Sequence, residues 1–170
     1  MIRLATNLDI PRIAEIHTLA WHEAYAGIVD QAILATITKE ARQATWTEWF
    51  KHTDQDVHVL ESASEINGFT RVSPPYKGAD DLPDYGELSH LYQLPSVIGT
   101  GVGHRLFEHA KQLIVHDGRT GMFLWVLEKN SRARTFYERH GMVADGERKD
   151  EPDWLGEGVF EVRYALKFGK

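Results

Sequence analysis

Two short segments hold the residues with a chemistry to perform. Gly99-Thr100-Gly101-Val102-Gly103 follows an apolar run and opens a helical pattern, so its backbone N–H groups stand in a row at a helix start. Glycines let a chain come close to a pyrophosphate, and the helix dipole favours negative charge there. The second segment runs from Asn130 to Met142 and holds an amide, Asn130, and a phenol, Tyr137. Seven residues is close to two helical turns, so both side chains project from one face of a short helix.

Rival phosphate motifs fail on spacing. A dinucleotide fingerprint counted from Gly99 needs a glycine at 104, where His104 stands. A P-loop needs a later Gly-Lys-Ser or Gly-Lys-Thr, and the chain continues His104-Arg105-Leu106. Metal chemistry has little purchase at this level. His22-Glu23 continues Ala-Tyr-Ala, so no His-Glu-x-x-His pair forms despite nine histidines, and no metal is expected.

The elements that must position these segments can be read from periodicity and punctuation. Ile2 to Ala5 predicts a strand, and Asp9 before Ile10, Ile13 and Ile16 predicts a capped helix. After Gly27, Asp30 to Ile37 and Thr38 to Lys51 predict two more helices. Val57 to Leu60 and Ile66 to Val72 predict an antiparallel hairpin, and the proline-rich and aspartate-rich Ser73 to Asp84 an exposed loop. Gly86 to Leu94 is a strand, Gly101 to His116 a helix and Gly121 to Leu127 a strand, an alternation that implies parallel pairing. A helix over Ser131 to His140 and strands over Met142 to Ala144 and Val159 to Lys167, around a charged loop, complete an α/β domain spanning residues 1–170.

The order of strand, glycine turn, helix, strand and polar helix resembles the GCN5-related N-acetyltransferase (GNAT) superfamily. Ile98-Gly99-Thr100-Gly101-Val102-Gly103 is similar to its Gln/Arg-x-x-Gly-x-Gly/Ala turn, with Ile98 replacing the polar first residue. The missing side chain costs on the order of 1 kcal/mol of binding, because the amides of Gly99, Thr100, Gly101, Val102, Gly103 and His104 carry most of the ligation. Asn130, Ala133, Tyr137 and Gly141 match the family's Asn-x-x-Ala-x-x-x-Tyr-x-x-x-Gly-Phe pattern, with Met142 in place of the aromatic. The resemblance implies a mixed, mostly antiparallel central sheet flanked by helices, with splayed middle strands. It also implies acetyl-CoA as cosubstrate, with Leu91, Tyr92 and Gln93 pairing with pantetheine as an added strand would.

Direct attack of an amine on a thioester expels a thiolate, and a donor beside the sulfur speeds that collapse. Tyr137 is the candidate acid, and Asn130 either meets the pantetheine amides or caps its own helix. For the base, Glu87 is favoured over His90; three residues apart on one strand, the two should face opposite sides barring a bulge. With no cysteine, an acyl-cysteine intermediate is excluded and transfer within a ternary complex follows. Trp21, Tyr25, Trp46 and Trp49 either wall the acceptor site or pack the core. Asp80, Asp81 and Asp84 either attract a cationic acceptor or simply stay solvated.

A formal charge of -6 argues against nucleic-acid and anionic-membrane partners. The absence of an apolar run of about 20 residues or a leader pattern points to the cytoplasm. The acceptor is expected to be a small-molecule amine or a protein amine, and a homodimer is the common default. Two other readings stay open: a CoA-binding protein used for sensing, and a nucleotide-binding module unrelated to CoA.

Overall fold

A computed structural model describes residues 1–52, 56–73 and 79–169. Seven strands form one sheet in the order β1-β2-β3-β4-β5-β7-β6. They are β1 (Ile2–Leu4), β2 (Asp56–Ser62), β3 (Glu65–Ser73), β4 (Tyr85–Gln93), β5 (Gly121–Leu127), β6 (Val143–Asp150) and β7 (Phe160–Lys167). All neighbours are antiparallel except β4 and β5, which are parallel and joined through a helix, as that pairing requires.

Helices cover both faces. α1 (Ile10–Tyr25) and α3 (Lys39–Trp49) lie on one, where Ile13, Ile16, Trp46 and Phe69 are fully enclosed. α2 (Gln31–Thr36) and α6 (Pro152–Leu155) extend that side around Trp21, Leu34 and Leu155. α4 (Val102–His116) and α5 (Ser131–Arg139) cover the other face, where Phe107, Met122, Leu124 and Tyr164 are buried. None of the helices among the described residues is long and apolar enough to cross a membrane.

Three local expectations are corrected. Asp9 does not cap α1 with its side chain; it takes both terminal nitrogens of Arg3, at 2.8 and 2.9 Å, and accepts from the Thr6 amide at 2.8 Å. The segment after Ala144 is not all loop, since β6 runs on to Asp150 through an irregularity between Ala144 and Arg148. Its charged, exposed side chains concealed the strand, because an edge strand needs only backbone pairing on one side and charge suits its free side. In the Ser73 to Asp84 segment, residues 74–78 lie outside the described residues. Beyond them Ala79 is buried and Asp81 is held by Arg163 at 2.8 and 2.5 Å, so this end of the segment is anchored.

Candidate active site

The site begins where β4 parts from β5. Tyr85, Gly86 and Glu87 pair with Gly121, Met122 and Phe123, and the ladder stops there. From His90 to Gln93 β4 is paired with β3 alone, so its opposite edge turns toward a gap. The cause is local. Arg71 pairs with His90 but Val72 with Leu88, which leaves Ser89 as an extra residue, and such a bulge bends its strand away from its neighbour. The gap opens into a cleft of ≈ 410 Å³ between β4, β5, the start of α4 and the inner side of α5. That volume falls within the usual range of small-molecule sites.

The bulge also reverses an expectation from the sequence. Glu87 pairs with Ser73, His90 with Arg71 and Tyr92 with Phe69, and residues 69, 71 and 73 share a face. Glu87, His90 and Tyr92 therefore all face α1 and α3. Glu87 is buried at the closed end of the gap, beside the last paired residue of β5, and is not among the residues lining the cleft. His90 sits among the rings of His17, Trp46 and Trp49 at 5.3 to 5.5 Å. Burial first, and then the Arg71 and Arg42 charges, push its pKa down to about 3, which makes it a poor proton acceptor.

The glycine turn forms one rim. Gly99 and Gly101 have φ of 83° and 89°, left-handed conformations that a side chain resists. A Cβ at either would meet nothing within 4 Å, so the turn presents open space on the cleft side. No side chain caps α4, and its internal ladder begins with the Arg105 amide on the Gly101 carbonyl at 3.0 Å. The amides of Val102, Gly103 and His104 are thus first-turn donors beyond the reach of the helix's own carbonyls. Thr100 differs: both its amide and its hydroxyl turn inward to the Val97 carbonyl, at 3.2 and 2.7 Å. Gly103 has another task, since a Cβ there would stand 3.3 Å from Gln93 Oε1 and 3.6 Å from the Phe136 ring. Its smallness lets α4, β4 and α5 close around the cleft. Leu91 packs its side chain beneath α4.

Tyr137 projects into the cleft from α5, and among the described residues no group accepts from its hydroxyl. Burial raises its pKa, with the Tyr92 phenol a lesser cause, so it keeps its proton at neutral pH. Asn130 caps its own helix: Oδ1 accepts from the Ala133 amide at 3.1 Å, which leaves Nδ2 and the second lone pair of Oδ1 to serve a ligand. Arg134 is held by the Tyr164 hydroxyl and the Glu128 carbonyl, both at 3.0 Å, and Arg132 makes a two-pronged pair with Glu23 of α1. Neither guanidinium is a free phosphate ligand. Sequence reasoning missed the Glu23–Arg132 strap across the cleft, because its partners lie 109 residues apart. It also missed the phenol group in which Trp21 Nε1 donates to the Tyr92 hydroxyl at 3.1 Å and Tyr25 Oη lies 3.5 Å from it. His140 lines the cleft too, and its place one turn beyond Phe136 could have revealed it.

Of the remaining candidates, Trp21 and Trp46 are core residues, 4% and 0% exposed. The Asp81 carboxylate is neutralised by Arg163 and does not stand as a lure for cations.

The site is thus a mixed sheet split between two parallel strands, with an uncapped helix start and a protonated phenol at the split. The description "Acetyltransferase (GNAT) family" matches residues 31–142, and the chain belongs to that family and is an N-acetyltransferase. It is similar to a Mycobacterium tuberculosis protein named "Probable N-acetyltransferase Rv2775", at 30% identity over 97% of this chain and 92% of that one. In fold it is similar to the PaiA N-acetyltransferase of Thermoplasma acidophilum, solved in complex with coenzyme A, with a TM-score of 0.77, 19% identity and coverage of 99% and 98%. A Salmonella typhimurium protein, yncA, solved with its cofactor acetyl-CoA, aligns with a TM-score of 0.72 at 18% identity over 100% and 94%.

Proposed function

We propose that this chain moves an acetyl group from acetyl-CoA to a primary amine by direct attack within a ternary complex. The observation that carries the reading is the β4–β5 split, flanked on one side by uncapped first-turn amides of α4 and on the other by the Tyr137 hydroxyl. The amides of Gly99, Gly101, Val102, Gly103 and His104 take the diphosphate, and the free edge of Leu91, Tyr92 and Gln93 takes the pantetheine amides.

The neutral amine attacks the thioester carbonyl carbon, forming a C–N bond and a tetrahedral oxyanion. Collapse breaks the C–S bond, and Tyr137 gives its proton to the departing sulfur, so free CoA leaves as the thiol. Glu87 takes the proton that the amine sheds. It is buried at the closed end of the gap and does not line the cleft, so that transfer runs through water. The acceptor enters on the side of α1 and α3, where Tyr25 and Tyr92 present hydroxyls that burial keeps protonated.

Thiol release from acetyl-CoA, measured against a panel of polyamines, amino acids, aminoglycosides and peptides, tests this reading. At least one amine is expected to raise release above hydrolysis and to appear acetylated by mass spectrometry. Tight CoA binding with no release for any amine would leave a binding protein in its place.

A further inference from the structure

At the outer end of the cleft, three side chains from two helices converge. His104 and Glu108 stand one turn apart on α4, and His140 is the residue that caps the end of α5. Each offers one ligand atom, and those atoms all lie within 4.8 Å of one another, the one such group of three among the described residues.

The His140 ring is fixed in orientation. Its Nδ1 lies 2.8 Å from the Phe136 carbonyl, which can only accept, so Nδ1 carries a proton and, in the neutral ring, Nε2 carries a lone pair. Phe136 and Phe107 pack against the ring, with centroids at 4.3 and 4.5 Å. A backbone carbonyl holding one imidazole nitrogen while the other faces outward is the usual support behind a metal-bound histidine. The lone pair points at His104 Nδ1, 2.9 Å away, so a single proton sits between two nitrogens. A four-coordinate ion with bonds of about 2.1 Å spaces its ligands roughly 3.4 Å apart, close to what this pair already shows. Replacing that proton requires that His104 carry its hydrogen on Nε2, that the two rings part by about 0.5 Å and turn their lone pairs toward a common point, and that Glu108 rotate to complete three ligands.

We infer that His104, Glu108 and His140 form a binding site for a divalent transition-metal ion of the zinc type. Two imidazoles and a carboxylate suit Zn²⁺ or its neighbours and not the oxygen-seeking Mg²⁺. Charge opposes the site at the positive start of α4 and favours it through the Glu108 carboxylate and the negative end of α5. The bound ion ties together the two helix ends that frame the cleft, with its fourth position open to water or an anion. The His104 ring serves the metal, whereas its backbone amide serves the turn.

Titration of chelator-treated protein by calorimetry tests the site. One saturable Zn²⁺ per chain is expected, with no comparable binding of Mg²⁺, and Zn²⁺ should raise Tm. Glu108→Gln and His140→Ala should each weaken Zn²⁺ at least tenfold and abolish the Tm rise, while His116→Ala, at the far exposed end of α4, should keep both. Circular dichroism checks that each variant folds. If His140→Ala does not, Glu108→Gln decides alone, because Glu108 is half-exposed and the change keeps its shape. Absence of saturable Zn²⁺ binding, equal Mg²⁺ binding, or wild-type Zn²⁺ affinity in Glu108→Gln would overturn the assignment.

Discussion

Burial of its ring raises the pKa of Tyr137, so the phenol that the proposed mechanism uses as its acid stays protonated at physiological pH. Tyr137→Phe keeps the ring and its packing and removes the proton. Turnover should fall by about 10²-fold while the KM for acetyl-CoA stays within about twofold, as steady-state kinetics would show. Unchanged turnover would remove Tyr137 as the acid. Glu87→Gln should lower kcat with little change in the KM for acetyl-CoA, and an unchanged kcat would assign the base elsewhere. Asp9 makes a separate point about stability. The Arg3 guanidinium, with the Thr6 amide, holds its pKa down to about 2, below the 3.8 of a free aspartate. A depressed carboxylate stabilises the fold above the unfolded value and loses that contribution as pH falls through the folded one. Asp9→Asn should therefore cost about 2 kcal/mol at neutral pH and close to nothing near pH 2, measured by urea unfolding at both.

At the scale of elements, the β4 bulge and the α4 turn divide the work. Ser89 turns β4 aside, and Gly99 and Gly101 carry the chain into α4 through conformations that suit glycine. Gly101→Val should damage both backbone and ligand approach, so a control is needed. Gly118, just past the other end of α4, has φ of 78° and equally open surroundings but lies away from the cleft. Both substitutions should destabilise by about 1–3 kcal/mol, and only Gly101→Val should also raise the Kd for CoA, by about tenfold or more. Equal Kd values would place the diphosphate away from this turn. The spacing of glycines and the helix pattern made α4 and its turn legible. The bulge left no such mark, because Leu88-Ser89-His90 reads as ordinary alternation.

Across the whole molecule, Arg163 joins parts that are distant in sequence. Its guanidinium, with a side chain only 3% exposed, meets Asp81 before β4 and Asp145 on β6, and both raise its pKa. Asp81 and Asp145 reach solvent, so removing Arg163 strands no buried charge, but it empties the enclosed space that its side chain fills. Arg163→Ala should cost about 2–3 kcal/mol, a fall in Tm of roughly 4–10 °C by calorimetry. A fall of only a degree or two would show that solvent readily replaces the arginine. The same long reach sets the Glu23–Arg132 strap and the convergence of His104, Glu108 and His140.

Period, punctuation and chemistry along the chain determined the strand and helix order except for β6 beyond Ala144 and α6, together with the glycine turn, the Asn130-to-Tyr137 face and the family. These are contacts within a turn or two, where spacing alone decides which groups are neighbours. Tertiary packing decided the rest: that Glu87 and His90 share a face, that Asn130 caps its own helix and that Arg132 is tied to α1. It also decided that two histidines 36 residues apart meet at 2.9 Å. Each of these depends on register between strands or on how helices settle against the sheet. Such geometry comes from burying large surfaces together, and no local stretch of sequence encodes it.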